Sequence, residues 1–314
     1  MRVAVFGVGG VGGFFGARLA HAGEDVIFIA RGAHLEAIQR DGLKVQSIHG
    51  DFSITPAQAA ADPAEVEPVD VALVGVKTWQ VEEAGRAVHP LIGPDTLVVP
   101  LQNGVDAPAQ LAAALDEPGS TRPHVIGGLC RIVSMIAAPG VIRHAGMMPY
   151  IAFNRLDGEP DPRVDRLREA FERAGVTVEV PADIYTALWA KFVFIAGFGG
   201  TGSVTRAPAG LLRSTPETRR MLEQAIREVE AVGRAHGAKL ADDITARTVA
   251  MVDALPEGAT ASMQRDVMDG RPSELEAQTG AVVRLGREKG IPTPVNEFIY
   301  ASLLPQERKA RKEV

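Results

Sequence analysis

Lys191 is the one charged side chain in the stretch Tyr185-Thr-Ala-Leu-Trp-Ala-Lys-Phe-Val-Phe-Ile-Ala-Gly-Phe198, where Thr186 and the Tyr185 hydroxyl are the only other polar groups. A helix that is apolar all round is a buried helix, so this lysine is expected in a poorly solvated place. Desolvation lowers the pKa of a lysine, and a lysine poised nearer neutrality can act as a general acid. The plainer alternative is a snorkelling lysine whose ammonium reaches the surface. Two more polar groups stand at the ends of apolar runs. Lys77 follows residues 69–76, and Asn103 follows residues 96–100 within Leu-Gln-Asn-Gly. Open α/β sheets bind ligands beyond the carboxyl ends of their strands, which makes Lys77 a candidate contact. The Asn103 amide could hold a cofactor or a substrate, or merely turn the chain, since Asn-Gly is a common turn. Ser262, in Ala-Ser-Met-Gln-Arg-Asp-Val, and Glu274, in Ser-Glu-Leu-Glu, flank a Gly-Arg-Pro turn. Taken alone, Ser262 caps a helix and Glu274 belongs to the start of the next.

A second kind of chemistry is written at the start of the chain. A short apolar run, residues 3–6, leads into Gly7-Val8-Gly9-Gly10-Val11-Gly12, then a helix-patterned segment and a second apolar run, residues 26–30. This is a GxGxxG fingerprint in the order strand, turn, helix, strand. Gly7 permits the turn, Gly9 lets backbone approach a pyrophosphate, and Gly12 lets helix and strand pack closely. The diphosphate would rest on the free N–H groups at the helix start. Where NAD-preferring folds place an acid at the tip of the next strand, this chain has Arg31, with no acid until Glu36. A cation there suits the 2′-phosphate of NADP, so NADP(H) is the expected cofactor.

The elements that position these groups follow from periodicity. Residues 33–40 and 79–88 have helical spacing. Residues 43–48, 52–54, 69–76 and 96–100 read as strands, and their alternation with helices predicts a parallel, doubly wound sheet. Residues 125–136, 141–144 and 150–153 read as later strands with antiparallel pairing. Residues 161–174 form an amphipathic helix, and 176–180 a last strand. From 183 the pattern is helical: 183–198, 216–236, 241–254, 273–289 and 294–303, with a charge-rich tail over 306–314 expected to fray. The expected fold is α/β, with an NADP-binding Rossmann-type domain over 1–180 and an all-helical substrate and catalytic domain over 181–314.

Composition sets outer limits. The chain has 314 residues, a net charge of -6 and no basic stripe, which argues against nucleic acid as a partner. Cys130 is the single cysteine, so no disulfide can form within the chain and a reducing, cytoplasmic setting is expected. The seven histidines are scattered, without metal-ligand spacing, and no metal site is expected. No charge-free run of 18 apolar residues suggests a membrane span. The helical half could supply a homodimer interface, but internal packing explains its apolar faces equally well.

The motifs GVGGVGGFFGARLA, ARG, VKTWQ, LQNGV, LWAKF, ASMQRDV and SELE, in this order and spread over both halves, resemble those of the ketopantoate reductase (2-dehydropantoate 2-reductase) family. The resemblance implies an NADPH-dependent reduction of a 2-oxo acid, of the ketopantoate-to-pantoate type that belongs to pantothenate biosynthesis, in a cleft between two domains. It implies that Gly7, Val8, Gly9, Gly10, Val11 and Gly12 bind the diphosphate and Arg31 the 2′-phosphate. Lys77 and Asn103 would line the cofactor side, with Asn103 also toward the substrate. Lys191 would be the proton donor and a substrate contact, Ser262 a substrate-binding serine, and Glu274 the acid at the nicotinamide ribose. The family places asparagines four and eight residues after its lysine, where this chain has Ile195 and Gly199. A third family asparagine has no counterpart either, Asn296 being the only one in the helical half. Ile195 and Gly199 predict a less polar pocket, roomier at Gly199, and Arg206, in the expected loop 199–208, is a candidate anchor for a substrate carboxylate. The alternatives are a related hydroxyacid or imine reductase acting on a bulkier substrate, and a sensor that binds NADP(H) without turnover.

Overall fold

The computed structural model describes residues 1–116 and 123–313. Contacts divide the chain into two compact units, one of Met1–Gln102 with Asp106–Ile184, the other of Asn103–Val105 with the chain from Tyr185 onward.

The first unit contains β1 (Arg2–Phe6), α1 (Gly10–His21), β2 (Asp25–Ile29), α2 (Gly32–Asp41), β3 (Leu43–Ser47), β4 (Phe52–Ile54), β5 (Gln58–Ala60), β6 (Val69–Val74), α3 (Val81–Ala87), β7 (Ile92–Pro100), α4 (Ala107–Ala114), β8 (Gly127–Ala138), β9 (Val141–Asn154), α5 (Pro162–Arg173) and β10 (Thr177–Glu179). Five strands form a parallel sheet in the order β5-β2-β1-β6-β7. Parallel strands buried on both faces read as continuous apolar runs, as β1 and β6 do. Along β1 the residues alternate between two cores. Val3 and Val5 join Phe14, Phe15 and Phe171 on one face. Ala4 and Phe6 join Val81 and Leu111 on the other. The result is a Rossmann-type doubly wound sheet, whose chain crosses from one side of β1 to the other at β2 and β6.

A second sheet runs β10-β9-β3-β4, with β8 antiparallel to β9; β3 and β4, expected among the strands of the parallel sheet, lie outside it and pair antiparallel with each other. The segments 141–144 and 150–153, expected as separate strands, are one strand, β9. Its pairing with β8 jumps from Tyr150 to Ala145, leaving a bulge that carries Gly146 at φ +84° and Pro149. That glycine and proline interrupt the pattern in sequence without ending the strand.

The second unit is helical: α6 (Ile184–Thr205), α7 (Ala209–Ser214), α8 (Pro216–Ala235), α9 (Ile244–Asp253), α10 (Ser262–Met268), a π-helical turn (Glu276–Gly280), α11 (Ala281–Lys289) and α12 (Pro294–Ala310). Trp189, Phe192, Val193 and Ala196 of α6 pack on Ile226 and Val229 of α8 and on Val282 of α11. Among the described residues α6 is the one helix long and apolar enough to cross a membrane, and most of it is buried in this core.

Two further expectations need correction. The expected loop after residue 198 is helix as far as Thr205, despite Gly199, Gly200 and Gly202. Glycine costs a helix interior about 1 kcal/mol each, but here each bare position admits a polar side chain, from Gln278, Thr279 and Gln264 respectively. The expected fraying tail is also helical through Ala310. Glu307 is buried and accepts from Ser273 N, Ser273 Oγ and Arg311 Nε, which ties the last turns down. Val314, in that tail, lies outside the described residues.

Candidate functional site

The first set of groups lies at the carboxyl ends of β1, β2 and β6, all within the first unit. Gly7 adopts φ +94°, and a Cβ there would come within 2.7 Å of Val76 Cγ1 and 2.8 Å of Val76 N. A Cβ on Gly12 would overlap Gly7 O, and one on Gly10 would overlap Ser134 O. These three positions must be glycine for the chain to turn and pack. Gly9 differs, because the nearest atom to a Cβ there is Gly75 O at 3.9 Å. Gly9 is the N-cap of α1 and provides no side-chain cap, so the first-turn amides are left to an anion. Bare backbone, open space at Gly9 and a helix start fit a dinucleotide diphosphate. Val8 and Val11 turn their side chains to the core, so only their backbone can serve a ligand.

Arg31 is the N-cap of α2 and projects into solvent, 3.5 Å from Glu83, with the two side chains 72% and 63% exposed. Lys77 is exposed three residues past β6, with its Nζ 5.8 Å from the Trp79 ring centroid. Both cations follow strands that flank β1, Arg31 two residues past β2 and Lys77 three past β6.

The second set belongs wholly to the second unit and forms a chain of hydrogen bonds. Lys191 Nζ donates to Asn103 Oδ1 at 3.0 Å, and Asn103 Nδ2 donates to Glu274 Oε2 at 3.2 Å. The same carboxylate oxygen accepts from Gln278 Nε2 at 3.2 Å. Lys191 and Asn103 are half-buried, while Glu274 and Gln278 are buried. An ammonium has only donors and a carboxylate only acceptors, so an amide between them has one orientation. Asn103 is therefore a fixed link as well as a corner. The corner holds it in place: Gly104 adopts φ +102°, and a Cβ there would lie 3.0 Å from Ala277 O, in the π-helical turn between Glu274 and Gln278. The Lys191 side chain ends on this amide.

Other candidates fall elsewhere. Ser262 is exposed, and its hydroxyl makes no hydrogen bond to this chain among the described residues. The N-cap of α10 is Ala261, so Ser262 is its first helical residue and not the cap expected from sequence. Its neighbours Ala261 and Met263 do approach Gly199 of α6. Glu274 follows Ser273, which is held by Glu307 and whose Oγ accepts from Leu275 N. Asn296 is a structural residue, fully buried and bonded to Glu228 and to Ala225 O. Arg206 ends α6 at φ +55° and is exposed. Fifteen residues of helix put it roughly 22 Å from Lys191 at 1.5 Å per residue, too far to hold the carboxylate of an oxo acid whose carbonyl faces that lysine.

The room expected at Gly199 is also taken. A Cβ there would meet Gln278 Oε1 at 3.1 Å and Met263 Cε at 3.6 Å. Gln278 was not singled out by sequence reasoning. Its one signal is the i, i+4 spacing from Glu274, which places two polar side chains on one helix face.

Two family models, described as Ketopantoate reductase PanE/ApbA and Ketopantoate reductase PanE/ApbA C terminal, match residues 3–158 and 183–307. The 2-dehydropantoate 2-reductase of Mesorhizobium japonicum is 31% identical over 317 residues, with 96% of each chain covered. An uncharacterized oxidoreductase of Bacillus subtilis is 28% identical, covering 96% of this chain and 98% of its own. Among solved structures, a PanE/ApbA family ketopantoate reductase from Ralstonia eutropha superimposes with a TM-score of 0.89 at 31% identity, over 99% of this chain and all of that one.

Proposed function

The chain belongs to the ketopantoate reductase family, and we propose that it reduces a 2-oxo acid to the 2-hydroxy acid with NADPH as hydride source and Lys191 as proton donor. The observation that carries this reading is the chain from Lys191 through Asn103 to Glu274. The glycine loop would hold the diphosphate on the amides at the start of α1, and Arg31 with Lys77 would meet the 2′-phosphate. When bound, the reduced nicotinamide supplies the hydride that reaches the carbonyl carbon.

The remaining work falls to side chains. Negative charge grows on the carbonyl oxygen as the carbon is attacked, and a positioned ammonium stabilises it most at that point. Lys191 Nζ then gives that oxygen its proton. Asn103 Oδ1 takes one N–H of the ammonium and so aims the others. Glu274 anchors Asn103 from behind. Ser262 is assigned to the substrate by family likeness.

A second reading concerns the substrate alone. Ile195 lies one helical turn beyond Lys191 and offers no hydrogen bond, which favours a 2-oxo acid with an apolar side chain over one with a hydroxyl. Ketopantoate and a panel of apolar 2-oxo acids, compared by kcat/KM with NADPH, separate the two. The decisive experiment for the mechanism is Lys191→Ala. Its kcat should fall by about a hundredfold or more, as expected for a positioned acid, while NADPH binding persists. A kcat within about tenfold of the parent would remove Lys191 from that role.

A further inference from the structure

We propose that Gln278 is a positioning residue for Glu274, and that residue 199 is glycine in order to admit it. The inference rests on the reading of Lys191 as proton donor and concerns what holds that lysine's partners in place.

Two amides converge on a single carboxylate oxygen, Asn103 Nδ2 and Gln278 Nε2 each lying 3.2 Å from Glu274 Oε2. The Gln278 amide cannot be flipped without setting its carbonyl against the carboxylate. In the orientation it must keep, Oε1 is buried and has no hydrogen-bond partner among the described residues, on a side chain 1% exposed. Buried polar atoms are nearly always paired, so an orphaned oxygen on a side chain whose other amide atom meets the Glu274 carboxylate calls for an explanation. A leucine or methionine would fill the same space without an orphaned atom.

The orphaned oxygen lies against α6, 3.1 Å from where a Cβ on Gly199 would stand. A Cβ at 199 requires the amide to give by a few tenths of an ångström, and a larger side chain requires more, which shifts Nε2 from its place at the carboxylate. Gly199 and Gln278 therefore act as one device: the helix bearing Lys191 gives up a side chain, and an amide from the π-helical turn takes the space. The turn itself is closed by Gly280 N donating to Leu275 O at 2.9 Å, an i→i+5 bond of the kind often found at functional sites. If the Gln278 donor is removed, Glu274 Oε2 keeps Asn103 as its only amide partner, and the aim of Asn103 toward Lys191 loosens.

The test uses Gln278→Met, Gly199→Ala and the double variant, with Lys191→Ala in parallel. The quantities measured are kcat and KM for the best 2-oxo acid, NADPH affinity by fluorescence, and thermal unfolding. Gln278→Met should lower kcat by about tenfold, the effect of one hydrogen bond to a charged group, and leave KM for the 2-oxo acid within about threefold. Gly199→Ala should lower kcat in the same way. The double variant should match Gln278→Met alone, because without the amide the new methyl has nothing to displace. Should Gln278→Met fail to fold, Gln278→Glu, which sets a second carboxylate against Glu274, should lower kcat. The inference is overturned by wild-type kcat in either Gln278 variant, or by losses in the double variant that multiply. If Lys191→Ala keeps its turnover, the proton-donor reading itself fails. Loss in Lys191→Ala with wild-type kcat in Gln278→Met refutes this inference alone.

Discussion

Replacing Asn103 by alanine cuts the link between the ammonium and the carboxylate while leaving both charges in place. Two hydrogen bonds go, at 3.0 Å to Lys191 and 3.2 Å to Glu274, and each has a charged partner. A hydrogen bond to a charged group contributes about 1.5–3 kcal/mol. Under the proposed mechanism the bond to Lys191 aims the donor at the oxygen where charge develops, so its loss should fall mainly on the transition state. At about 1.4 kcal/mol per tenfold, that predicts a kcat lower by roughly tenfold to 150-fold. The bond to Glu274 adds to this only as far as the carboxylate moves. Folding should be less affected, because Gly104 still makes the turn and Glu274 keeps its bond to Gln278. The assay is steady-state NADPH oxidation with a saturating 2-oxo acid, alongside a thermal melt to show that the fold is intact. A folded Asn103→Ala variant with kcat within about threefold of the parent would refute the claim that the amide aims the lysine.

Two further changes probe other parts of the molecule. Arg31→Ala should weaken NADPH binding by about tenfold or more and leave NADH nearly unchanged, because only NADPH carries the 2′-phosphate. Glu83→Gln removes the carboxylate that competes for Arg31 and should tighten NADPH severalfold; equal shifts for the two nucleotides in titrations would contradict both. Asp161→Asn tests the buried pair with Arg163, which holds the Asp161 carboxyl below the usual carboxylate range by hydrogen bonding. A carboxyl depressed in the folded state adds stability that is complete above its unfolded pKa, near 3.9, and is lost as pH falls through the lower folded value. The variant should lose about 3 kcal/mol at neutral pH, and much less in acid below that window. A melting temperature unchanged at pH 7 would show the pair to be dispensable.

Much of the fold could be read from residue order. The strands β1, β2, β6 and β7 of the parallel sheet were legible because they carry apolar runs, whereas the edge strand β5, Gln-Ala-Ala, carries none and was not foreseen; α5 and α8 were legible because their apolar stripes are periodic. The misreadings share one cause. Gly199, Gly200 and Gly202 weaken a helix locally, Gly146 and Pro149 interrupt a strand locally, and residues 306–310 are too charged to bury by themselves. In each case a distant partner outweighed the local preference: Gln278, Thr279 and Gln264 against the glycines, β8 against the bulge, Ser273 against the charged tail. Short-range propensities of about 1 kcal/mol or less yield readily to such contacts.

The amino-acid sequence by itself determined the glycine loop, the cation at the tip of β2, and a lysine set in an apolar helix, since each is a local pattern complete within a few residues. It also carried Asn103, Ser262 and Glu274 as separate candidates without saying which of them meet. Only the tertiary structure decided that Asn103 joins Lys191, 88 positions away, to Glu274, 171 positions away, and that Ser262 takes no part in that chain of bonds. It alone showed the place beside Gly199 to be filled by an amide. Such contacts depend on where whole helices come to rest, and no spacing along the chain encodes the 3 Å that separates one side chain from another across a core.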